Sequence, residues 1–225
     1  MSERWTTTQA RRQVGRASMI LEVGANNGTD SNQLLAAFPS ATLHCFEPEP
    51  RASDAWRTRV RSPRAHLHEF AVAAGVGTTT FHRSGGWPPG VANPDGAVWN
   101  ESGSIRPPTG HRERWPWVEF PDAIEVATTS LDAWTAANGI EHIDLIWADV
   151  QGAEGDLVAG GAYTLALTRY LYIETSETEY YAGQVSTTDL LRSLPGWVVV
   201  RRFPDDILLR NTAYTGRPRR WWQRR

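Results

Sequence analysis

A glycine-bearing turn between two apolar runs constrains the fold of this chain most. The run Met19 to Val23 ends just before Gly24, and Gly28 is followed by Thr29, which can cap a helix. A second apolar run, Leu43 to Phe46, follows that helix. This order predicts the strand, turn, helix and strand of a nucleotide-binding α/β fold.

An acidic residue directly after the second run favours a nucleoside ligand. Glu47 follows the glycine turn by about twenty residues, where such folds bind a ribose through its hydroxyls. Asn26 occupies the position of the second glycine in a dinucleotide fingerprint, so no diphosphate is required. Glu22, near the end of the first strand, can instead hold the ammonium group of a ligand. A tight turn without any ligand is the structural alternative.

Size and composition predict one domain over residues 1–225 in a reducing compartment. The single cysteine, Cys45, rules out an internal disulfide. We find no apolar run of the roughly 18 residues that a membrane span needs, and the start MSERWTTTQARR lacks a signal-peptide core. These features predict a cytoplasmic protein with no membrane span.

Charge gives no general attraction to nucleic acid. The formal net charge is −2, and all 23 basic residues are arginines. Only the tail, residues 212–225, combines arginines with tryptophans as RPRRWWQRR. We expect this tail to be solvated, with contact to an anionic partner or to the second subunit of a homodimer left open.

The remaining apolar runs predict an α/β fold with a doubly wound, mostly parallel sheet. A third strand, His66 to Val72, is expected to place Phe70 and Ala71 beside an adenine, with a plain strand end as the alternative. Further predicted strands are Ala123 to Thr128, Ile143 to Trp147 and Tyr170 to Ile173. Ser130 is expected to cap a helix. Trp197 to Arg202 and Asp206 to Arg210 are expected to form an antiparallel hairpin at the C-terminus.

A long segment, residues 84–120, lacks any sustained period. It holds six prolines, six glycines and four tryptophans. Loops of this length usually cover active sites, bind ligands or are disordered, and so many tryptophans fit poorly with disorder. We expect a substrate lid, although a structural loop that covers the sheet remains open. The expected substrate-binding residues are Trp99, Ser102, Ser104, Arg106 and Trp115 from the lid, with Tyr180 and Tyr181 from a later acidic and aromatic loop.

Two carboxylates close predicted buried strands at the edge where open α/β sheets bind ligands. Asp149 follows Ile143 to Trp147, and Glu174 follows Tyr170 to Ile173. Such a pair suits Mg²⁺, so both are candidate metal ligands. Alternatively, Asp149 acts alone as a base and Glu174 only satisfies loop backbone; His111 in the lid is a further candidate base.

Four segments together resemble the FkbM family of S-adenosylmethionine-dependent O-methyltransferases, which are class I methyltransferases. ILEVGANNG is similar to the first motif of that family, HCFEPEP to its second, TTSLDAWTAANGIEHIDLIWADVQGAE to its third block and PDDILLRN to its final strand. The resemblance covers roughly Met19 to Asn211. Gln151 departs from it, since the family pattern D-x-E-G-x-E has glutamate there, and Trp147 with Ala148 replaces the usual lysine before the aspartate.

The resemblance implies methyl transfer from S-adenosylmethionine to a hydroxyl of a sugar, glycolipid or polyketide. The acceptor is then expected to be a small molecule or an oligosaccharide. An actinobacterial methylmannose-type polysaccharide precursor is one such acceptor. A nucleotide-cofactor oxidoreductase and a nucleic-acid-modifying protein are the alternatives from other classes. The expected cofactor-binding residues are Glu22, Gly24, Asn26, Asn27, Gly28, Asn32, Phe46, Glu47, Pro48, Phe70, Ala71 and Asp149.

Overall fold

A computed structural model describes residues 6–93 and 96–216. The predicted tail from residue 217 onward lies outside the described residues. The strands are β1 Met19–Val23, β2 Thr42–Phe46, β3 Ala65–His68, β4 Ala71–Val72, β5 Gly77–Gly86, β6 Val118–Thr129, β7 Ile143–Ala148, β8 Thr168–Glu174, β9 Trp197–Arg202 and β10 Asp206–Asn211. The helices are α1 Thr7–Val14, α2 Thr29–Ala37, α3 Pro50–Arg59, α4 His111–Arg114, α5 Leu131–Ala137, α6 Glu154–Ala159, α7 Ala162–Ala166 and α8 Thr187–Arg192.

Seven strands form one twisted sheet in the order β3-β2-β1-β7-β8-β10-β9. The pairs from β3 through β8 are parallel, whereas β10 runs antiparallel to both β8 and β9. The strand order reverses between β1 and β7, which is where open α/β sheets bind ligands. The predicted doubly wound sheet with an antiparallel C-terminal hairpin strand is therefore confirmed.

The register of β1 brings the predicted site residues to one edge. Val23 lies opposite Phe46 of β2 on one side and opposite Ala148 of β7 on the other. All three strands therefore end at the same level. The chain leaves this edge at Gly24, at Glu47 and at Asp149, so the three turns of the predicted site are neighbours.

The predicted third strand was wrong, because its last residues belong to a second sheet. This sheet has three strands in the order β4-β6-β5. The apolar run from His66 to Val72 is interrupted after His68. Its first part, β3, pairs with β2, and its last two residues pair with β6 in the second sheet. The strand β5 was not predicted, because its run of threonines and glycines shows no apolar alternation. The strand β6 begins at Val118, inside the predicted lid.

The core lies on both faces of the seven-stranded sheet. One face packs α1, α2 and α3 against residues such as Leu43 and Leu145, and the other packs α5, α6 and α8 against residues such as Leu21 and Ile146. Full burial of one such side chain stabilises the fold by about 1.5 to 3 kcal/mol. Within residues 6–93 and 96–216, no helix is long and apolar enough to cross a membrane.

Two helix starts show how local sequence sets the frame of the site. Ser130 caps α5 as predicted, since its hydroxyl accepts from Ala133 N at 3.1 Å. The predicted cap of α2 was wrong in detail. Gly28 itself is the N-cap, at φ 81°, and no side chain caps this helix. The first helical N–H groups of α2 consequently lie close to the edge where β1 ends.

Much of the predicted lid is docked on the domain. His82 of β5 exchanges two backbone hydrogen bonds with Ser104, of 2.7 and 3.1 Å. Further along, Thr109 N and His111 N both donate to Tyr180 O, at 2.9 and 3.2 Å, and Ala182 N donates to Pro107 O at 2.8 Å. Residues 102–111 therefore pack against the acidic loop that follows β8, as part of the folded structure.

Candidate cofactor and acceptor site

One cavity of about 340 Å³ lies at the edge where β1, β2 and β7 end. The second sheet and the lid close it from the other side. Its lining residues are Val23, Gly24, Ala25, Asn26, Asn27, Thr29, Asp30, Phe46, Glu47, Pro48, Phe70, Ala71, Val72, Phe81, Asn100, Glu101, Gly103, Ser104, Ile105, Asp149, Val150, Gln151 and Ala153. The cavity thus contains most of the residues that the sequence predicted for a cofactor.

The glycine turn is fixed by contacts that only glycine permits. Gly24 has φ 86°, and a Cβ there would lie 1.8 Å from the carbonyl oxygen of Asp149. Gly24 N and Ala25 N both donate to Phe46 O, at 2.9 and 3.0 Å. Asn26 adopts φ 44°, a left-handed conformation that asparagine tolerates better than most residues. Asn26 thus takes the place of the second glycine of the dinucleotide fingerprint, and the turn is kept.

Glu47 presents its carboxylate in the cavity with both oxygens already oriented. Its Oε2 accepts from Asn26 N and its Oε1 from Glu49 N, each at 2.8 Å. Burial raises the pKa of Glu47 to about 7, although the two N–H donors lower it. A carboxylate oxygen has more than one lone pair, so each can also accept a ribose hydroxyl. This geometry fits the predicted ribose-binding role.

Glu22 lies outside the cavity, which is a correction to its predicted place. Side chains alternate along β1, so Val23 lines the cavity while Glu22 turns toward α2. Its Oε2 accepts hydrogen bonds from Ser31 Oγ and Cys45 Sγ, and its Oε1 is buried without a hydrogen-bond partner. Burial raises the pKa of Glu22 to about 8. Glu22 is therefore a buried acid beneath the turn.

Two other predicted cofactor residues also lie outside the lining. A Cβ on Gly28 would lie 2.5 Å from Val60 Cγ2, so this glycine permits packing against α3. Asn32 donates to Arg59 O at 3.2 Å on the outer side of α2. Both positions therefore contact the C-terminal end of α3.

Asp149, Gln151 and Glu174 form one hydrogen-bonded group at the carboxyl ends of β7 and β8. Gln151 Nε2 lies 2.6 Å from both Asp149 Oδ1 and Glu174 Oε2. Burial raises the pKa of Glu174 well above its usual value, and Asp149 raises it further by its charge and by a hydrogen bond. Burial and the neighbouring Asp149, which lines the cavity, therefore both favour the protonated form of Glu174.

The donor set here does not fit the predicted Mg²⁺ site. A hard divalent cation needs converging oxygen ligands, but the amide nitrogen of Gln151 occupies the position between Asp149 and Glu174. Among the residues that the structure describes, no group of three or more His, Cys, Asp or Glu side chains could hold a metal ion. We derive no step through a metal.

His111 is buried away from the cavity, which corrects its candidacy as a base. Its ring packs among Trp115, Phe120 and Tyr181, with ring centroids 4.6, 5.4 and 5.3 Å away. Burial lowers its pKa to about 4. A neutral, enclosed imidazole in an aromatic cluster stabilises the docked lid.

Of the predicted substrate-binding residues, only Ser104 lines the cavity. Trp99 donates to Ser102 Oγ at 2.9 Å and packs edge-on against Trp117. Arg106 forms an ion pair with Asp156. The remaining predicted residues serve the lid itself: Ser102 is buried, Trp115 packs against Tyr180, and Tyr181 donates to Ser102 O and Gln151 Oε1. Packing of the lid thus uses the side chains that we expected to contact substrate.

Several lining residues were not predicted. They are Val23, Ala25, Thr29, Asp30, Val72, Phe81, Asn100, Glu101, Gly103, Ile105, Val150, Gln151 and Ala153. Phe81 was missed because it lies on the unpredicted strand β5. Asn100 was missed because no spacing marks it, yet its backbone oxygen accepts from Asn26 Nδ2 at 2.9 Å. Gln151 could have been singled out from the sequence, because it departs from the pattern of the family that the chain resembles.

The strand order reverses at the cavity, which places the cavity where an open α/β fold binds its ligand. A family model described as "Methyltransferase FkbM domain" matches residues 22–202. Over 199 residues the chain is 43% identical to the 2-O-methyltransferase NoeI of Sinorhizobium fredii, covering 86% of this chain and 79% of that protein. The chain therefore belongs to the FkbM methyltransferase family. It is an S-adenosylmethionine-dependent O-methyltransferase, as the family resemblance predicted. The alternative prediction of a nucleotide-cofactor oxidoreductase is therefore not supported.

Solved structures with a similar arrangement are more distant. Aeropyrum pernix fibrillarin with natively bound S-adenosyl-L-methionine has a TM-score of 0.44 at 14% identity, covering 87% of this chain and 66% of that one. An O-methyltransferase family protein from Burkholderia thailandensis has a TM-score of 0.45 at 12% identity, covering 93% of this chain and 58% of that one. The fold assignment depends on the strand order described above.

Proposed function

We propose that this enzyme transfers a methyl group to a hydroxyl of a sugar or glycan acceptor. The observation that carries the proposal is that Glu47 and Asp149 line one cavity, with Asn100, Glu101 and Ser104 of the lid beside them. The proposed ribose-binding carboxylate and the candidate base thus share one cavity. The lid contributes polar groups that suit an acceptor with several hydroxyls.

The residues present fit S-adenosylmethionine. Gly24 lines the cavity with backbone alone, Glu47 offers a buried carboxylate for the ribose, and Phe46 and Phe70 line the cavity where an adenine would pack. When bound, the cofactor supplies an electrophilic methyl group on a sulfonium. Asp30, Glu47, Glu101 and Asp149 give the described lining four carboxyl groups, which suit a cationic ligand.

Asp149 is the proposed general base. A sugar hydroxyl is a weak nucleophile, so its proton must be accepted as the new oxygen–carbon bond forms. Asp149 lies at the cavity wall, and the raised pKa of the buried Glu174 beside it favours the protonated form of Glu174. In this proposal, lid residues beside the cavity position the acceptor oxygen near the base and limit the access of water.

Two observations support a hydroxylated acceptor, for which we propose a sugar. The relative named above is a 2-O-methyltransferase, and the lid side of the cavity presents Asn100, Glu101 and Ser104. Polar side chains of this kind bind hydroxyls by paired hydrogen bonds. A methylmannose-type precursor is the specific acceptor that we propose to test first, and a polyketide is the competing acceptor.

The test is a transfer assay with S-adenosylmethionine and a panel of acceptors. The panel contains methyl α-D-mannopyranoside, mannose oligosaccharides, other methyl glycosides and a hydroxylated polyketide. We expect a glycoside to gain the mass of one methyl group, at a hydroxyl identified by NMR. Methylation of the polyketide alone would refute the sugar acceptor, and failure of the wild-type enzyme to bind S-adenosylhomocysteine would refute the cofactor assignment.

A further inference from the structure

Gln151 occupies an unusual place between the candidate base and the lid. It adopts φ 49°, one of two left-handed non-glycine residues among those described. Such a conformation costs free energy and is retained where surrounding contacts hold it.

The side chain and backbone of Gln151 connect four groups. Its Nε2 contacts Asp149 Oδ1 and Glu174 Oε2, each at 2.6 Å. Its Oε1 lies 3.0 Å from the hydroxyl of Tyr181, which is buried beneath the lid. Its backbone oxygen accepts from Ser104 Oγ at 2.6 Å. One residue therefore contacts the candidate base, Glu174, the lid and the acidic loop that follows β8.

The donor character of the amide is the specific feature. A primary amide has two N–H donors, which satisfy one oxygen on each of the two neighbouring carboxyl groups. A glutamate at residue 151 could not donate when ionised and would place a third carboxylate against Asp149 and Glu174. The Gln151 amide thus holds Asp149 in one orientation without adding negative charge.

We propose that Gln151 is a positioning residue that fixes the Asp149 carboxylate against the acceptor hydroxyl and links this orientation to the docked lid. The proposal rests on the proposed function, since it takes Asp149 as the base. Its consequence is that Gln151 contributes to turnover and little to cofactor affinity. Small displacements of a reacting group can reduce rates by about 10²-fold, so the effect is measurable.

The experiment compares Gln151→Met, which removes the donors at similar size, with Gln151→Glu, which also adds charge. Gln184→Met is the matched control, because Gln184 lies outside the cavity lining and bonds only the backbone of Tyr180 at 3.0 Å among the described side-chain contacts. Cofactor affinity is measured by calorimetry with S-adenosylhomocysteine. Turnover is measured with the panel glycoside that the wild-type enzyme methylates fastest.

Both Gln151 variants are expected to lower kcat by about 10-fold or more, Gln151→Glu the more strongly, with the Kd for S-adenosylhomocysteine within about 3-fold of wild type. Gln184→Met is expected to match wild type in both. Unchanged kcat in both Gln151 variants would overturn the proposal, and so would equal losses in kcat and affinity, which indicate a structural role only.

A crystal structure of Gln151→Met with S-adenosylhomocysteine is a second test, and it does not require a known acceptor. Asp149 is expected in a changed side-chain orientation, and an unmoved Asp149 carboxylate would count against the inference. Failure of the proposed function has a different signature, because it appears in the wild-type enzyme as absent cofactor binding or absent transfer. The two failures are therefore distinguishable.

Discussion

Gly24 and Asp149 are in backbone contact at the carboxyl edge of the sheet. A Cβ on Gly24 would lie 1.8 Å from the carbonyl oxygen of Asp149, and Asp149 N donates to Val23 O at 2.9 Å. The turn that would hold the cofactor and the loop that carries the candidate base are thus built against each other. Any side chain at residue 24 must separate them.

Gly24→Ala is expected to destabilise the fold by roughly 2 to 4 kcal/mol, because left-handed strain and a backbone clash add together. Urea unfolding measures this change. Gly139→Ala is the control. Gly139 has φ 63°, and no atom lies within 4 Å of the position that a Cβ would take there, so only strain of about 1 kcal/mol is expected. Equal costs at the two positions would contradict the contact.

Glu22→Gln is expected to stabilise the protein as the pH rises. The folded pKa of Glu22 is raised from 4.5 to about 8, chiefly by burial. Protonated Glu22 therefore contributes fully to the free energy of unfolding below pH 4.5, and this contribution is lost as the pH rises toward 8. Removal of the ionisable group should leave stability nearly unchanged at about pH 4.5 and raise it by roughly 1 to 3 kcal/mol at about pH 8.

Urea unfolding at about pH 4.5, 6 and 8 measures the difference between wild type and Glu22→Gln. The exposed Glu141→Gln serves as the control and should follow wild type at every pH. A Glu22→Gln variant that is less stable than wild type at the highest pH would show that the ionised Glu22 is stabilised in the fold.

The sequence was sufficient for most of the seven-stranded sheet and for the neighbouring positions of Gly24, Glu47 and Asp149, but not for the second sheet. Apolar runs marked β1, β2, β7 and β8, and parallel strands end at one edge, so Gly24, Glu47 and Asp149 could be placed together from the chain alone. Glu22 was misplaced although it lies in the same motif. Alternation along β1 decides which of two neighbouring side chains reaches the cavity, and a motif does not record it.

The lid could not be predicted in detail because its contacts are nonlocal. His111 and Tyr181 lie far apart in the sequence, yet their rings pack together. The strand β5 lacks apolar alternation and could not be recognised from the sequence. Its backbone pairing with β6 and with Ser104 of the lid forms only in the folded protein. Side chains that look suited to a sugar, such as Trp99 and Arg106, are instead occupied by neighbours within the protein.

Asp149→Asn is expected to lower turnover by about 10² or more, the usual effect of a lost general base, with cofactor affinity retained. The asparagine preserves shape and removes the charge. His111→Gln is the comparison, because His111 lies outside the cavity and should affect turnover only a few-fold. Turnover is measured with the panel glycoside. Near-normal turnover by Asp149→Asn together with loss in His111→Gln would reverse the assignment.

Hydrogen exchange is expected to divide the lid into two parts. Residues 104, 109 and 111 donate backbone hydrogen bonds to the domain and should exchange slowly before any ligand is added. Residues 90–92 and 96–98 are exposed and should exchange fast. Mass spectrometry of peptides from the two regions measures the contrast. Equally fast exchange throughout residues 84–120 would indicate a lid that orders only with ligand.

The most direct test of the account is calorimetric titration of S-adenosylmethionine into wild type and Glu47→Ala. Loss of the buried carboxylate removes two charge-assisted hydrogen bonds to a ribose, so binding should weaken by roughly 2 to 4 kcal/mol, or about 30-fold to 1,000-fold. Exposed Glu69→Ala, outside the cavity lining, should bind as wild type does. We expect saturable wild-type binding at one cofactor per chain, and equal affinity in Glu47→Ala would contradict the assignment of this cavity.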